Sequence, residues 1–233
     1  MPITHVSDTA KWVAVYRAME SERPDAIFHD PFARRLAGEH GEQIVQGMRH
    51  GASAAWSMVV RTAVFDELIL EAIARDQIDC VVNLAAGLDA RPFRLALPHA
   101  LRWVDVDFQE ILDYKWEVLK RETAACRYET APTDLTDGDA RRALLARIAE
   151  QQDRVLVVAE GLLIYLAPEE SSKFFEASGW REAEFRSSWH ESKRLNRQMR
   201  GAWLWGLFAL LQTKKGREQS ARMAGIVRLG RAW

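Results

Sequence analysis

One stretch constrains this chain more than any other: Val81-Val82-Asn83-Leu84-Ala85-Ala86-Gly87-Leu88-Asp89-Ala90-Arg91. An apolar run of strand type passes directly into a turn of small residues with a glycine at its tip. Asp107 follows that glycine by 20 residues, at the end of a second strand-like stretch over 101–106. A turn that lets the backbone approach a ligand, followed by an acid for ribose hydroxyls, is the layout of a nucleoside-binding βαβ unit. The turn lacks the G-x-G-x-x-G whose glycines let backbone N–H groups close on a pyrophosphate. A single glycine suits a nucleoside without phosphates. S-adenosylmethionine is the commonest cofactor of that kind; a nicotinamide dinucleotide, and with it an oxidoreductase, is the weaker reading.

Around this unit strand and helix patterns alternate. Residues 79–84 read as strand 1, 101–106 as strand 2, 127–131 as a short strand 3, and 154–159 as strand 4. The last is continuously apolar, as a strand covered on both faces should be. Helical spacing lies between them: Ile111, Leu112, Trp116 and Leu119 in 108–121, and Leu144, Leu145 and Ile148 in 139–151. The pattern predicts an α/β fold with a doubly wound, mostly parallel, Rossmann-like sheet. Upstream, residues 7–37 are helical in pattern, 38–51 read as looser chain, and 54–75 form a long helix in which Val60, Val64, Leu68 and Ala72 recur every four residues. Downstream come helices at 168–178, 191–199 and 202–211, a strand-like stretch over 180–187, and a final strand at 225–229 that forms a hairpin-like pair with it. We read one domain over 1–233: an N-terminal helical cap (1–75), a cofactor-binding core (76–166), and C-terminal helices and strands (167–233).

The 233 residues are 48% hydrophobic and 28% charged, a globular composition. With 32 basic and 33 acidic residues, the net charge of -1 gives no electrostatic reason to expect nucleic acid or an anionic membrane as partner. Cys80 and Cys126 show no metal spacing and fit a reducing cytoplasm. The histidines show no H-E-x-x-H, so no metal site is expected. The first residues show no basic segment followed by an apolar one. The apolar run 202–211 is shorter than the ~20 residues that span a bilayer.

Several segments together resemble the leucine carboxyl methyltransferase family. They are the 83–91 turn, Val104-Asp105-Val106-Asp107-Phe108, and Ala159-Glu160-Gly161-Leu162-Leu163-Ile164-Tyr165-Leu166, with Ser7-Asp8-Thr9-Ala10, Asp30-Pro31-Phe32-Ala33 and Val60-Arg61-Thr62 upstream. Within the family the resemblance is nearest to bacterial O-methyltransferases that act on polyketides and other small molecules. It implies a class I methyltransferase fold, S-adenosylmethionine as cofactor and a small-molecule methyl acceptor. Gly87 would then leave room for the cofactor, and Arg61 would pair with its methionine carboxylate. Asp134 would accept from the adenine amino group while Leu135 packs on the ring. The residues alone equally allow Asp134 to cap a helix. Asp105 and Asp107 lie two apart and point to one face; the strand alone does not choose between them, and the resemblance favours Asp107 for the ribose. Glu160, at the carboxyl end of strand 4, is placed near the sulfonium and methionine moiety. Tyr165 faces either the acceptor or the core.

A piece is missing from this pattern. A class I methyltransferase needs a helix, a fifth strand and another helix after strand 4. Only 13 residues separate Leu166 from Trp180, and a βαβ unit takes about 30. The fifth-strand region is therefore expected to be absent. Either the chain as read breaks near residues 169–172, or it carries a true deletion, with lower stability or activity and with strand 4 unpaired or set directly beside 226–229. A cofactor-binding protein without turnover is the alternative that this gap keeps open.

Overall fold

The computed structural model describes residues 6–48, 51–162, 179–199, 201, 213, 216 and 220–231. Three helices come first: α1 (Val6–Ser21), α2 (Ala33–Gly47) and α3 (Gly51–Asp76). Then β1 (Cys80–Leu84), the one-turn α4 (Arg91–Arg94), β2 (Arg102–Asp107), α5 (Gln109–Leu119), β3 (Arg127–Pro132), α6 (Gly138–Gln151) and β4 (Val155–Ala159) alternate. β5 (Trp180–Ser187), α7 (Ser188–Arg194) and β6 (Gly225–Arg231) follow.

The four strands β3-β2-β1-β4 form one parallel sheet in that order. Alternate side chains of each strand go to opposite faces, and both faces are covered. Cys80, Val82, Val104, Val106 and Ala131 pack against Leu144 and Ile148 of α6. Val81, Trp103 and Val158 pack against Ile69 of α3 with Leu97 and Leu101. The expected doubly wound α/β architecture is present. Register brings the strand ends level: Leu84 lies opposite Val106 on one side and Ala159 on the other. The chain therefore leaves β1, β2 and β4 at a common edge, where ligands bind in open parallel sheets.

Three expectations need correction. The stretch 38–51 is not loose: α2 breaks at Gly38 (φ 59°) but continues to Gly47, burying Gly41 and Ile44. Its glycines read as loop punctuation, yet a Cβ on Gly41 would sit 3.1 Å from the carbonyl oxygen of Lys11. The glycine is there because α1 and α2 approach backbone to backbone. Second, the helix near 191–199 is shorter and earlier, at Ser188–Arg194. Third, of the two arrangements left open for strand 4, the one that sets β6 beside β4 does not hold. β6 pairs antiparallel with β5 from Trp180↔Arg231 to Ser187↔Gly225, forming a separate two-stranded sheet. That pair is held on α3: Ile226 packs with Val60, Val64 and Leu68, and Arg186 bridges to Glu67 and Glu71. Among the described residues the parallel sheet ends at β4, where Val157 is 46% exposed, and no fifth parallel strand is present. The helices expected at 168–178 and 202–211, and the chain break expected at 169–172, lie outside the described residues. No described helix is long and apolar enough to cross a membrane.

Candidate functional site

β1 ends in a strained turn. Ala85 (φ 51°) and Gly87 (φ 52°) both occupy the left-handed region, which costs an L-residue about 1–2 kcal/mol and glycine nothing. The backbone N–H of Gly87 donates to Asp107 Oδ2 at 2.7 Å, and that of Phe108 donates to Oδ1 at 2.8 Å. The carboxylate at the end of β2 is thereby locked to the tip of the β1 turn. Each of its oxygens keeps a second acceptor position. Burial pushes the Asp107 carboxyl above its ordinary range, against the lowering effect of those two N–H groups. A Cβ on Gly87 would stand 3.3 Å from Ala10 Cβ, so α1 lies directly over the turn.

Asp105 has another fate. It is 0% exposed and accepts from Asn83 Nδ2 (3.3 Å), Trp103 Nε1 (2.9 Å), Lys115 Nζ (2.5 Å) and the Tyr128 hydroxyl (2.8 Å). Its oxygens are spent on packing β1, β2, β3 and α5 together. Of the two acids, only Asp107 lines a cavity.

At the end of β4, Glu160 joins two arginines. Arg61 Nε of α3 donates to Oε1 at 2.8 Å and Arg91 Nη1 donates to Oε2 at 2.8 Å. Arg91 is 2% exposed and also reaches Asp89 (2.7 Å) and Asp66 (2.6 Å). Burial alone would raise the Glu160 and Asp89 carboxyls. Arg91 opposes it most at both, and together with Arg61 at Glu160, and with Lys115 and Arg94 at Asp89, it holds each below its ordinary range. Arg17 of α1 bonds Asp30 (2.8 Å) and the carbonyl oxygen of Leu88 (2.6 Å), tying the cap to the turn.

These groups surround one cavity of about 440 Å³, within the ~300–1,000 Å³ usual for small-molecule sites. Gly87, Asp107, Leu135 and Glu160 meet there at the sheet edge, with Arg61 and Thr62 from α3 and Thr9, Ala10, Trp12 and Val13 from α1. Asp134 is not among the lining residues. It is exposed, and its Oδ1 accepts from the Thr136 N–H (2.9 Å) and hydroxyl (2.7 Å) in a local turn. The capping of α6 falls to Asp137, whose side chain accepts from Asp139 and Ala140 N–H. Tyr165 lies outside the described residues.

Arg91, Arg17, Trp12, Thr62 and Phe108 escaped the sequence reading as site residues, although all but Arg17 lie inside or beside motifs it singled out. Arg91 ends the glycine-turn motif, but its partners Asp66 and Glu160 are 25 and 69 residues away; no local pattern marks such a pairing. Burial raises the Cys80 and Cys126 thiols to about 11, so both are neutral at pH 7. Among the described residues, no three His, Cys, Asp or Glu side chains group as metal ligands.

A sequence model of the leucine carboxyl methyltransferase family matches residues 10–179. A Streptomyces coelicolor protein named "Putative S-adenosyl-L-methionine-dependent methyltransferase" is 38% identical over 173 residues, covering 70% of this chain and 60% of that one. A Frankia alni protein of like name is 37% identical over 182 residues, covering 73% and 63%. The chain thus spans about three fifths of the length of these curated relatives. A crystal structure of a DUF574 family protein from Streptomyces avermitilis covers 89% of this chain and 80% of its own, at 13% identity and a TM-score of 0.44, too slight a likeness to bear on the fold.

Proposed function

The chain belongs to the leucine carboxyl methyltransferase family, and from that premise we propose that it binds S-adenosylmethionine at the sheet edge and methylates an oxygen of a small molecule. The observation that carries this reading is the cavity itself. Five elements remote in sequence bring Gly87, Asp107, Leu135, Glu160 and Arg61 to one space. The residues suit the cofactor. Asp107 has spare acceptor positions for two ribose hydroxyls, and Leu135, Ile111 and Phe108 supply apolar surface for adenine. Glu160 is an ionised acid for the ammonium and sulfonium charges, and Arg61 is a cation for the carboxylate. Asp134, turned into its own loop, leaves ring recognition to those apolar neighbours.

When bound, S-adenosylmethionine supplies a methyl carbon that an acceptor oxygen takes by in-line displacement, the carbon–sulfur electron pair leaving on a neutral thioether. The chain's task is positioning. The locked Asp107 fixes the ribose, the Arg61–Glu160–Arg91 chain fixes the amino-acid end, and α1 covers the turn against water. No histidine lines the cavity among the described residues. A carboxylic acid, with pKa near ~4, is already ionised at pH 7, whereas a phenol near ~10 profits from a base. The site therefore suits a carboxylate acceptor better than a phenol. Binding without turnover is the second reading, favoured by a parallel sheet that among the described residues ends at β4, with Val157 half exposed.

Titration calorimetry tests the cofactor assignment. The protein should bind S-adenosylmethionine and not NADH. Asp107→Ala and Arg61→Ala should each weaken binding at least ~10-fold, the loss of one charged hydrogen-bonding partner. Unchanged affinity in both variants would sink it. Incubation with methyl-labelled cofactor and a panel of carboxylic acids and phenols separates the rest: label in an ester supports the carboxylate, label in an ether the phenol, and label nowhere the binding-only reading.

A further inference from the structure

The cofactor assigned above occupies two ends of the cavity and leaves one wall without a task. Its nucleoside end falls to Asp107, Phe108, Ile111 and Leu135, and its amino-acid end to Arg61 and Glu160. The remaining wall is built by Trp12 and Val13 of α1, Met58 of α3 and Leu162 after β4, all half-buried and all lining the cavity. It is a wall of carbon. Val13, Met58 and Leu162 carry no strong hydrogen-bonding group in their side chains. The one polar side-chain atom of Trp12, Nε1, is buried. Tyr16 packs edge-on against the Trp12 ring, centroids 5.4 Å apart, and holds it in place.

Two contacts fix where this wall stands. A Cβ on Gly87 would meet Ala10 Cβ at 3.3 Å, and Arg17 Nη2 donates to the Leu88 carbonyl oxygen at 2.6 Å. Ala10, Val13 and Arg17 share one face of α1 at helical spacing, so Val13 stands over the β1 turn between those contacts. Met58 precedes Arg61 by three residues on α3 and shares its face. The wall therefore borders the gap between Asp107 and the Arg61–Glu160 pair. The cofactor's sulfur joins its ribose to its amino-acid chain, so the methyl group belongs in that gap, and an acceptor reaches it along carbon. A second charge on the acceptor would find no partner there. The arginines of the lining, Arg17, Arg61 and Arg91, are engaged: Arg17 by Asp30 and the Leu88 carbonyl, Arg61 by Glu160, and Arg91 by Asp66, Asp89 and Glu160.

We propose that Trp12, Val13, Met58 and Leu162 form the acceptor subsite, and that it selects an acid with an apolar body and a single charge, the reacting carboxylate, whose counter-charge is the sulfonium of the bound cofactor. This rests on the cofactor and carboxylate reading above. Out of bulk water the attraction between the two charges strengthens. As the acceptor oxygen bonds to the methyl carbon, the carbon–sulfur electron pair stays on sulfur. The two charges cancel, leaving a neutral ester and a neutral thioether, so the attraction that seats the acid is absent from the products. A second carboxylate or an ammonium on the acceptor would lose its water against carbon with nothing in return.

Calorimetry with matched acids tests this. The protein is loaded with sinefungin, which carries a cationic amine in place of the methyl-sulfonium, or with S-adenosylhomocysteine, which is neutral there. Neither complex can transfer a methyl group, so binding alone is read. Hexanoate should bind the sinefungin complex at least about 10-fold more tightly than adipate, which adds a carboxylate, and 3-phenylpropionate at least about 10-fold more tightly than phenylalanine, which adds an ammonium. Both apolar acids should bind the S-adenosylhomocysteine complex about 5-fold more weakly or worse. Met58→Ala and Val13→Thr should each weaken the apolar acids about 5-fold or more while changing S-adenosylhomocysteine affinity less than about twofold. The proposal is overturned if neither apolar acid outbinds its charged counterpart, if both bind the two complexes equally, or if the variants weaken S-adenosylhomocysteine as much as the acids; the cofactor assignment stands in each case. If the wild type binds neither sinefungin nor S-adenosylhomocysteine, the cofactor assignment itself falls and takes this with it. Should Met58→Ala fail to fold by thermal melting, Val13→Thr carries the same comparison.

Discussion

Two aspartates two positions apart on β2 show how far a residue type is from a role. Both were candidates for the ribose, and the strand pattern could not separate them. What separates them are partners that β2 does not contain: Lys115 and Tyr128 close on Asp105, while only backbone N–H groups reach Asp107. This yields a contrast. Asp105→Asn leaves the Lys115 ammonium, 1% exposed, without its counter-charge. That should cost about 3–5 kcal/mol in urea unfolding. Asp107→Asn keeps one acceptor oxygen for two backbone N–H donors, but it should cost the empty protein less at pH 7, about 1–3 kcal/mol at most, because relief of a buried charge offsets part of the loss. A carboxyl raised by burial contributes stability below its unfolded pKa and loses it as pH rises through the folded one, so at pH 7 the ionised Asp107 is a cost. The same substitution should abolish tight cofactor binding. In the wild type, affinity for S-adenosylhomocysteine should decline on acidification with a midpoint above the ordinary ~3.9 of an aspartate. Equal stability losses for the two variants would show that the two acids share one role.

At the scale of elements, the core strands were legible because their signal is local: short apolar runs bounded by turns and spaced by helical periods. The second half of α2 was not. Its polar run Glu39-His40-Gly41-Glu42-Gln43 lacks an apolar stripe, and its helical state comes from α1 packed against it. That is tertiary context overriding a weak propensity. The separation of β5 and β6 from the main sheet was equally hidden, since an antiparallel pair has the same alternation wherever it docks. The α1–α2 contact can be probed at Gly41. A Cβ there meets Lys11 O at 3.1 Å and Ala37 Cβ at 3.3 Å. Gly41→Val should therefore cost about 1–3 kcal/mol by overpacking. It should also weaken cofactor binding, because α1 carries Ala10 and Trp12 onto the cavity wall. Gly138→Ala is the control: at the start of α6 an added Cβ meets only the flexible ends of Arg142 and Arg141, at 3.5 and 3.8 Å, and its melting temperature should hold or rise. A Gly41→Val protein that melts and binds as the wild type does would show that the close approach constrains nothing.

Across the whole molecule, buried ion pairs fasten the cap to the core. Arg94 holds Asp66, Arg91 joins Asp66, Asp89 and Glu160, Arg197 near the C-terminal pair reaches back to Glu20, and Arg17, paired with Asp30 inside the cap, donates to the Leu88 carbonyl of the core. Sequence reading could not assemble this network, since the Arg197–Glu20 pair alone spans 177 residues. Its consequence is a pH dependence with Arg91 at the centre. Asp89 and Glu160 are held below their ordinary pKa, so they contribute stability above about pH 4, and that stability is lost as pH falls through their folded values. Arg91→Met keeps most of the side-chain volume but removes the charge. Burial, which acts to raise both carboxyls, then loses its main opponent. The sign reverses: the two acids become a penalty at neutral pH that protonation relieves. The variant should be less stable than the wild type by about 3–5 kcal/mol at pH 7, and the gap should narrow as the pH is lowered toward 4. Urea unfolding at a series of pH values measures it. Arg91 also stacks over the Phe65 ring, 5.7 Å from its centroid, so a gap that stays constant with pH would assign its role to packing and not to the charges it holds together.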